Sequence, residues 1–287
     1  MTVALGVHVR PLDVDRTFAM QRFGMYDPTA RLARGAIRKA FATPRGACVV
    51  SIAQKRDAIE IEASGGDEEE VAADLASAVV EDDGYDAFAP THPLLAKLHR
   101  TLSGLRIVRV PWRFDVAACT ILQQRVTVRE AFQEWRRIAA RYGETVGDLR
   151  VFPSALAIAK MDTWRLEELG VDPKRARALH ALARDVHRRD LFARHDATNA
   201  ARERVRKTMM SVRGIGPWTT EVTLGFAFGD PDAVPLADLH LPHLVTWALA
   251  RERRGSDARM VELLEPFRGH RFRAIRLLLS AGISVPR

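Results

Sequence analysis

Two periodicities divide this sequence. In the first third, Ala47 to Ala53 and Asp57 to Ala63 are short β-rich runs joined by Gln54-Lys55-Arg56, a pattern that predicts two antiparallel strands in a hairpin. Asp67-Glu68-Glu69-Glu70 follows Gly65-Gly66 and opens an apolar-periodic segment reaching Val80, so the acidic run reads as a helix N-terminus complementing the macrodipole, not as a metal site. Beyond Pro90 the apolar positions recur at helical spacing. The predicted helices lie near Phe114 to Thr127, Arg129 to Tyr142, Thr163 to Leu169, Lys174 to Val186 and Ala200 to Val212, then Pro217 to Phe228, Leu239 to Arg253, Ala258 to Leu264 and Phe272 to Ser280. Gly143, Gly170, Gly229 and Gly255 stand near their expected ends. The fold class is therefore α+β, an N-terminal antiparallel β-sheet with helices followed by an all-α portion.

Composition narrows the function classes. A chain of 287 residues with 47% hydrophobic content can bury two or three packed units. Its longest apolar runs, Ala47 to Ala53 and Ile275 to Leu279, fall far short of the roughly 18 residues of a membrane span, and Met1 to Arg16 lacks the apolar centre of a signal peptide. The expectation is a cytoplasmic, nucleoid-associated protein with no membrane contact. Cys48 and Cys119 are the only cysteines, too few for a disulfide framework or a Cys-ligated zinc or iron–sulfur site. The net charge of +8 is unevenly spread: residues 1–95 carry 10 basic and 15 acidic side chains, leaving 34 against 21 for residues 96–287. A positive surface of that kind neutralises phosphates and binds nucleic acid in a salt-dependent way, although an Arg-rich composition, with six Lys among 44 basic residues, gives the same excess.

The strongest local signal sits in that basic part. Val212-Arg213-Gly214-Ile215-Gly216-Pro217-Trp218-Thr219 is a Gly-hydrophobe-Gly turn opening a helix at Pro217. Gly214 and Gly216 let main-chain N–H groups approach a phosphate, with the positive end of the helix behind them. Some twenty residues on, Pro235-Leu236-Ala237-Asp238-Leu239-His240-Leu241 offers a lone carboxylate, Asp238, just before the next helical pattern. Asp238 can cap that helix and still serve as a reactive carboxylate, since the helix N-terminus favours its charged form. His240 and His243 lie three apart beside it, but no third ligand at a recognisable spacing accompanies them, so no side-chain metal site is expected.

These two segments resemble the helix-hairpin-helix and Gly/Pro-rich loop with Asp of the base-excision DNA glycosylase superfamily, and more narrowly its DNA-3-methyladenine glycosylase II branch. The likeness continues through Ile121-Leu122-Gln123-Gln124-Arg125-Val126-Thr127, Phe152-Pro153, Leu169-Gly170 to Ala176, and Glu265-Pro266-Phe267-Arg268-Gly269-His270. It implies a two-lobed helix-hairpin-helix glycosylase unit. Residues 1–88 would form the sheet domain, 112–230 the central helical domain with the hairpin, and 89–111 with 231–287 a second lobe carrying the Asp. Gly214, Ile215, Gly216 and Thr219 would contact DNA, and Gln124, Trp218, Val222 and Phe267 would line the base pocket, with Asp238 catalytic. By periodicity alone Phe267 would be core.

Gln123 replaces the family's Gly, and three further positions bear on the chemistry. Arg125 stands where some members place an apolar wedge, and it either stacks into the duplex gap or holds a phosphate. Val222 replaces a pocket Tyr. Trp218 occupies the position where members with lyase activity carry a Lys, and the closest lysine, Lys207, lies in the preceding helix.

The chemistry implied is extrusion of an alkylated purine, 3-methyladenine or 7-methylguanine in type, from double-stranded DNA. Trp218 and Phe267 would face the cationic base while Asp238 stabilises the oxocarbenium-like sugar and orients water. No cofactor is implied, a monomer is expected, and the hairpin backbone could hold a monovalent cation. The alternatives are a non-enzymatic helix-hairpin-helix DNA-binding module and a glycosylase/lyase for other damaged bases.

Overall fold

Five strands near the start of the chain make one antiparallel sheet. The computed structural model describes residues 2–7, 11–56, 58–192 and 198–286. The strands are β1 (Thr2–Val7), β2 (Ala30–Ala33), β3 (Ala36–Thr43), β4 (Gly46–Gln54) and β5 (Ile59–Gly65), in the order β1-β5-β4-β3-β2. The expected hairpin is β4–β5, with Cys48 opposite Gly65 and Gln54 opposite Ile59; Asp57, the first residue assigned to its second run, lies outside the described residues. Helix α1 (Val14–Phe18) packs against β3 and β4, and α2 (Glu68–Val80) against β1 and β5.

Strands β1, β2 and β3 left no readable alternation in the sequence. In β3 the reason is Lys39, a charge that faces inward with its side chain 1% exposed. Its ammonium lies 3.2 Å from Asp115, donates to the Thr29 hydroxyl at 2.6 Å, and sits 4.9 Å from the centre of the Phe23 ring. Burial pushes the Asp115 carboxyl up to about 6 despite the neighbouring lysine.

The rest is helical apart from the short β6 (Thr145–Val146) and β7 (Leu149–Arg150) pair. In order the helices are α3 (Pro93–Thr101), α4 (Arg113–Leu122), α5 (Val128–Tyr142), α6 (Ala155–Lys160), α7 (Trp164–Glu167), α8 (Pro173–Arg189), α9 (Asn199–Ser211), α10 (Pro217–Ala227), α11 (Leu241–Ala250), α12 (Asp257–Leu264) and α13 (Arg271–Ser280). Two ends differ instructively from the periodic pattern. Helix α4 stops at Leu122, short of Thr127, because Arg125 takes a left-handed backbone (φ 56°) and Thr127 instead caps α5, accepting from the Glu130 N–H at 3.2 Å. Helix α11 ends at Ala250 because Arg251 is left-handed as well (φ 60°).

Among the described residues two large hydrophobic cores stand out beside a small cluster of Ala40, Leu149 and Val151. The larger joins the sheet to the central helices, with Phe41, Ile52, Ile61 and Leu75 in one continuous cluster with Trp135, Phe152, Leu179 and Leu224. Trp135 and Phe152 stack with ring centres 3.9 Å apart. The smaller core gathers Phe88 and Leu95 with Leu241, Val245, Met260, Leu264, Phe267 and Leu278. Each such side chain contributes about 1.5–3 kcal/mol on burial. Buried ion pairs bind the sheet unit, the α2–α4 connection and α13: Asp83 meets both Arg106 and Arg273 at 2.6 Å, and Arg109 meets Asp74 at 3.2 Å. No helix among the described residues is long and apolar enough to cross a membrane.

Candidate nucleic-acid interface and active site

The hairpin is the turn between α9 and α10. Ile215, 5% exposed, plugs it into the core, and its N–H donates to the Val212 carbonyl at 3.0 Å. The two glycines do different work. Gly214 has φ +91°, and a Cβ there would stand 3.1 Å from the Ala178 Cβ, so the turn itself requires glycine. Gly216 has φ −113° and open space around the position of a Cβ, so nothing inside the protein requires glycine there. Among the described residues, the N–H groups of Gly214 and Gly216 find no acceptor. They stand beside the N–H groups of Trp218 and Thr219 in the first turn of α10, which find no acceptor among the described residues, a set of donors suited to an anion.

Gln124 locks this turn to the end of α4. Its Nε2 donates to the Gly214 carbonyl at 3.0 Å and to the Thr219 hydroxyl at 2.8 Å, and Thr219 itself is buried. Gln124 thus belongs to the hairpin as a brace. Arg125 follows, exposed, on its left-handed backbone. Exposed Lys174, Arg177 and Arg213 stand near the same turn, since a Cβ on Gly214 would lie 3.1 Å from the Ala178 Cβ and 3.9 Å from the Lys174 carbonyl, and none of the four has an ion-pair partner among the described residues. The carbonyls of Val212, Gly214 and Gly216 each accept one hydrogen bond and keep a second lone pair, the donors a monovalent cation would use. Among the described residues no group of three or more His, Cys, Asp or Glu side chains could hold a metal ion.

Asp238 lies between the N-termini of α10 and α11. Its Oδ1 accepts from the N–H groups of His240 and Leu241, both at 2.7 Å, and its Oδ2 accepts from the indole Nε1 of Trp218 at 2.6 Å. One oxygen caps α11 while the other draws in the second residue of α10. The carboxylate is half-buried and fixed in place by three N–H donors. Trp218 is half-buried too, and Val222 follows it one turn along α10.

Phe267 is placed otherwise. It is 7% exposed inside the smaller core, edge-on to Phe88 with ring centres 6.0 Å apart, so its ring packs in the lobe as its periodicity suggested. A cleft of about 760 Å³ does lie between α9 and α10 on one side and the segments around Pro231, Leu236, Val261 and Arg271 on the other, but its walls, Arg206, Pro217, Glu221 and Asp230 among them, are the neighbours of Trp218, Val222 and Asp238 rather than those residues themselves. Arg206 is pinned there by Glu221 at 2.7 Å and Asp230 at 2.8 Å. His243 accepts from the Gly255 N–H at its Nδ1 at 2.9 Å and so braces a loop.

Sequence reasoning missed three features. Arg175 and Glu134 form a buried bidentate pair (2.6 and 2.9 Å), and the same guanidinium donates to the Leu122 carbonyl at 2.5 Å, fixing the end of α4 from which Gln124 and Arg125 project. Its signal was a charge, Glu134, on the apolar stripe Ala131, Trp135, Ile138 of α5. Leu239 is 75% exposed immediately after Asp238, an apolar side chain offered to solvent at the site. Ala237, just before Asp238, is left-handed with φ 63°.

A five-stranded antiparallel sheet backed by helices, a hairpin whose N–H groups find no acceptor among the described residues, and a carboxylate held between two helix N-termini describe a helix-hairpin-helix DNA-repair protein. Residues 118–268, more than half the chain, match the HhH-GPD superfamily of base excision DNA repair proteins, and the chain belongs to that family. It is 33% identical over 143 residues to the Mycobacterium tuberculosis "Probable bifunctional transcriptional activator/DNA repair enzyme AlkA", a match covering 48% of this chain and 28% of that protein. The fold is that of the 3-methyladenine DNA-glycosylase from Archaeoglobus fulgidus (TM-score 0.76, 19% identity, 99% of this chain and 100% of that one). It is also that of the Clostridium acetobutylicum 8-oxoguanine glycosylase/lyase solved with double-stranded DNA (TM-score 0.69, 16% identity, 95% and 92% covered).

Proposed function

We propose that this chain is a monofunctional DNA glycosylase that extrudes an alkylated purine from double-stranded DNA and hydrolyses its N-glycosidic bond. The observation that carries the reading is Asp238, whose two oxygens take three N–H donors between two helix N-termini, beside a hairpin whose N–H groups find no acceptor among the described residues. The hairpin and the exposed Arg125, Lys174, Arg177 and Arg213 hold phosphates. Trp218 offers a face to a cationic base, and Asp238 stabilises the oxocarbenium-like sugar while orienting water on it. Val222, where a larger aromatic would crowd the base, leaves room for bulkier purines. Phe267 supports the pocket wall from within the lobe core. Because one fold serves both glycosylases and glycosylase/lyases, the absence of strand cleavage rests on the residue at position 218, where an indole already bonded to Asp238 offers no amine to attack the sugar. The chain acts as a monomer on DNA in the cytoplasm.

The test is incubation with duplex DNA containing methylated purines, followed by chromatography of released base and by gel analysis of the strand. Free 3-methyladenine or 7-methylguanine with the strand intact is the expected result. No released base from any alkylated duplex contradicts the reading, and strand scission with borohydride trapping contradicts its monofunctional part.

A further inference from the structure

We infer that Asp257, on the first turn of α12, is a positioning residue that sets the backbone from which Asp238 projects. The inference rests on Asp238 being the catalytic carboxylate. Ala237 occupies the left-handed region at φ 63°, a conformation that disfavours any residue with a Cβ. Its N–H donates to the Asp257 Oδ2 at 2.8 Å, across a sequence separation of 20 residues. This contact reaches the residue whose torsion angles aim the next one, Asp238.

Asp257 is free for this task because it is not the cap of its own helix. Ser256 fills that role, accepting from the Arg259 N–H at 3.2 Å. The loop before it is fixed to α11: Gly255 donates to His243 Nδ1 at 2.9 Å, the Thr246 hydroxyl donates to the Glu252 carbonyl at 3.1 Å, and Gly255 lies so close that a Cβ would stand 2.3 Å from the Pro242 carbonyl. The contacts close a ring. Asp238 caps α11, α11 holds the loop, the loop delivers Asp257, and Asp257 holds Ala237 in the conformation that aims Asp238. Without the carboxylate, Ala237 relaxes toward negative φ and the three donors of Asp238 no longer converge. A glycine at 237 adopts the left-handed conformation without that bias and has little need of the clamp.

The experiment is a cycle of Asp257→Ala, Ala237→Gly and the double variant, with Asp257→Asn and Asp238→Asn as references. Single-turnover base release from a methylated duplex, affinity for abasic-site duplex, thermal midpoint and hydrogen exchange at the Ala237 amide are measured on each. Asp257→Ala should slow release about tenfold to a hundredfold, the usual consequence of displacing a reacting group by about an ångström, with affinity within about twofold of the parent. Asp257→Asn keeps an acceptor oxygen and should recover most of the rate. The Ala237 amide should exchange faster in Asp257→Ala, and the double variant should return to within about threefold of Ala237→Gly alone. Release at the parental rate in Asp257→Ala, an unchanged amide, or a double variant as slow as Asp257→Ala each overturns the inference. Undiminished release by Asp238→Asn would overturn the assignment of the catalytic carboxylate instead.

Discussion

The glycines of the hairpin separate what the fold needs from what a ligand needs. Gly214→Ala meets both a left-handed φ of 91° and the Ala178 Cβ at 3.1 Å, and should lower stability by about 1–2 kcal/mol, seen as a fall in thermal midpoint. Gly216→Val meets an ordinary φ of −113° and open space, so it should lower stability by no more than about 1 kcal/mol, the cost of a β-branched residue at the N-cap of α10. Its affinity for every duplex, damaged or not, should nonetheless fall, because branching at that position keeps a phosphate from the N–H groups. Unchanged DNA affinity in Gly216→Val would mean that the hairpin is not the anchor. At the same scale the pattern Gly-Ile-Gly was readable because its chemistry is local. The role of Gln124 was not, because its partners, Gly214 and Thr219, lie 90 and 95 residues away.

Among the elements, the turn between α4 and α5 is built for exposure. Arg175 and Glu134 hold its root at Leu122, Gln124 braces it on the hairpin, and Arg125 stands out on a left-handed backbone. If Arg125 enters the gap left by an extruded base, Arg125→Ala should slow release most from well-paired lesions, which cost most to open, and less from mismatched ones. Single-turnover rates on paired and mismatched duplexes at two salt concentrations check this. Equal loss on both, with a salt slope reduced by about one ion, would assign Arg125 to a phosphate instead. The helices themselves were legible where an apolar stripe ran uninterrupted, as in α8 to α10. Strand β3 was hidden because Lys39 points inward and pairs with Asp115, a partner 76 residues away that no local pattern reveals. Phe267 shows the opposite case, where periodicity already read the residue as core.

Across the whole molecule, the acidic first third and the basic remainder meet at a junction of buried ion pairs around Asp83 and Asp74. Beside it His99 stacks on Tyr85 with ring centres 4.1 Å apart, and His270 packs on Phe88 at 5.6 Å. Burial, with Arg273 as the next contributor, holds both imidazoles below their ordinary value of 6.5. Asp82, Asp83 and Asp86 oppose that shift without reversing it. The unfolded chain therefore binds protons on these groups more readily than the folded one, and they cost stability as pH falls through 6.5 toward their lowered folded values. A His99→Phe/His270→Phe variant should lose less thermal midpoint than the parent between neutral and mildly acid pH. An identical pH dependence in the two proteins would place the acid sensitivity elsewhere, since Asp115, with its carboxyl raised to about 6, changes stability in the opposite sense.

The most direct measurement is single-turnover release of a methylated purine from duplex DNA by the parent and by Asp238→Asn, at protein concentrations that saturate the DNA. Asparagine can still cap α11 through its carbonyl oxygen, but its amide faces the Trp218 N–H donor to donor and carries no charge for the developing cation. Binding to abasic-site duplex should persist while release falls by about a hundredfold or more. Release of the base by Asp238→Asn at the parental rate would contradict the assignment.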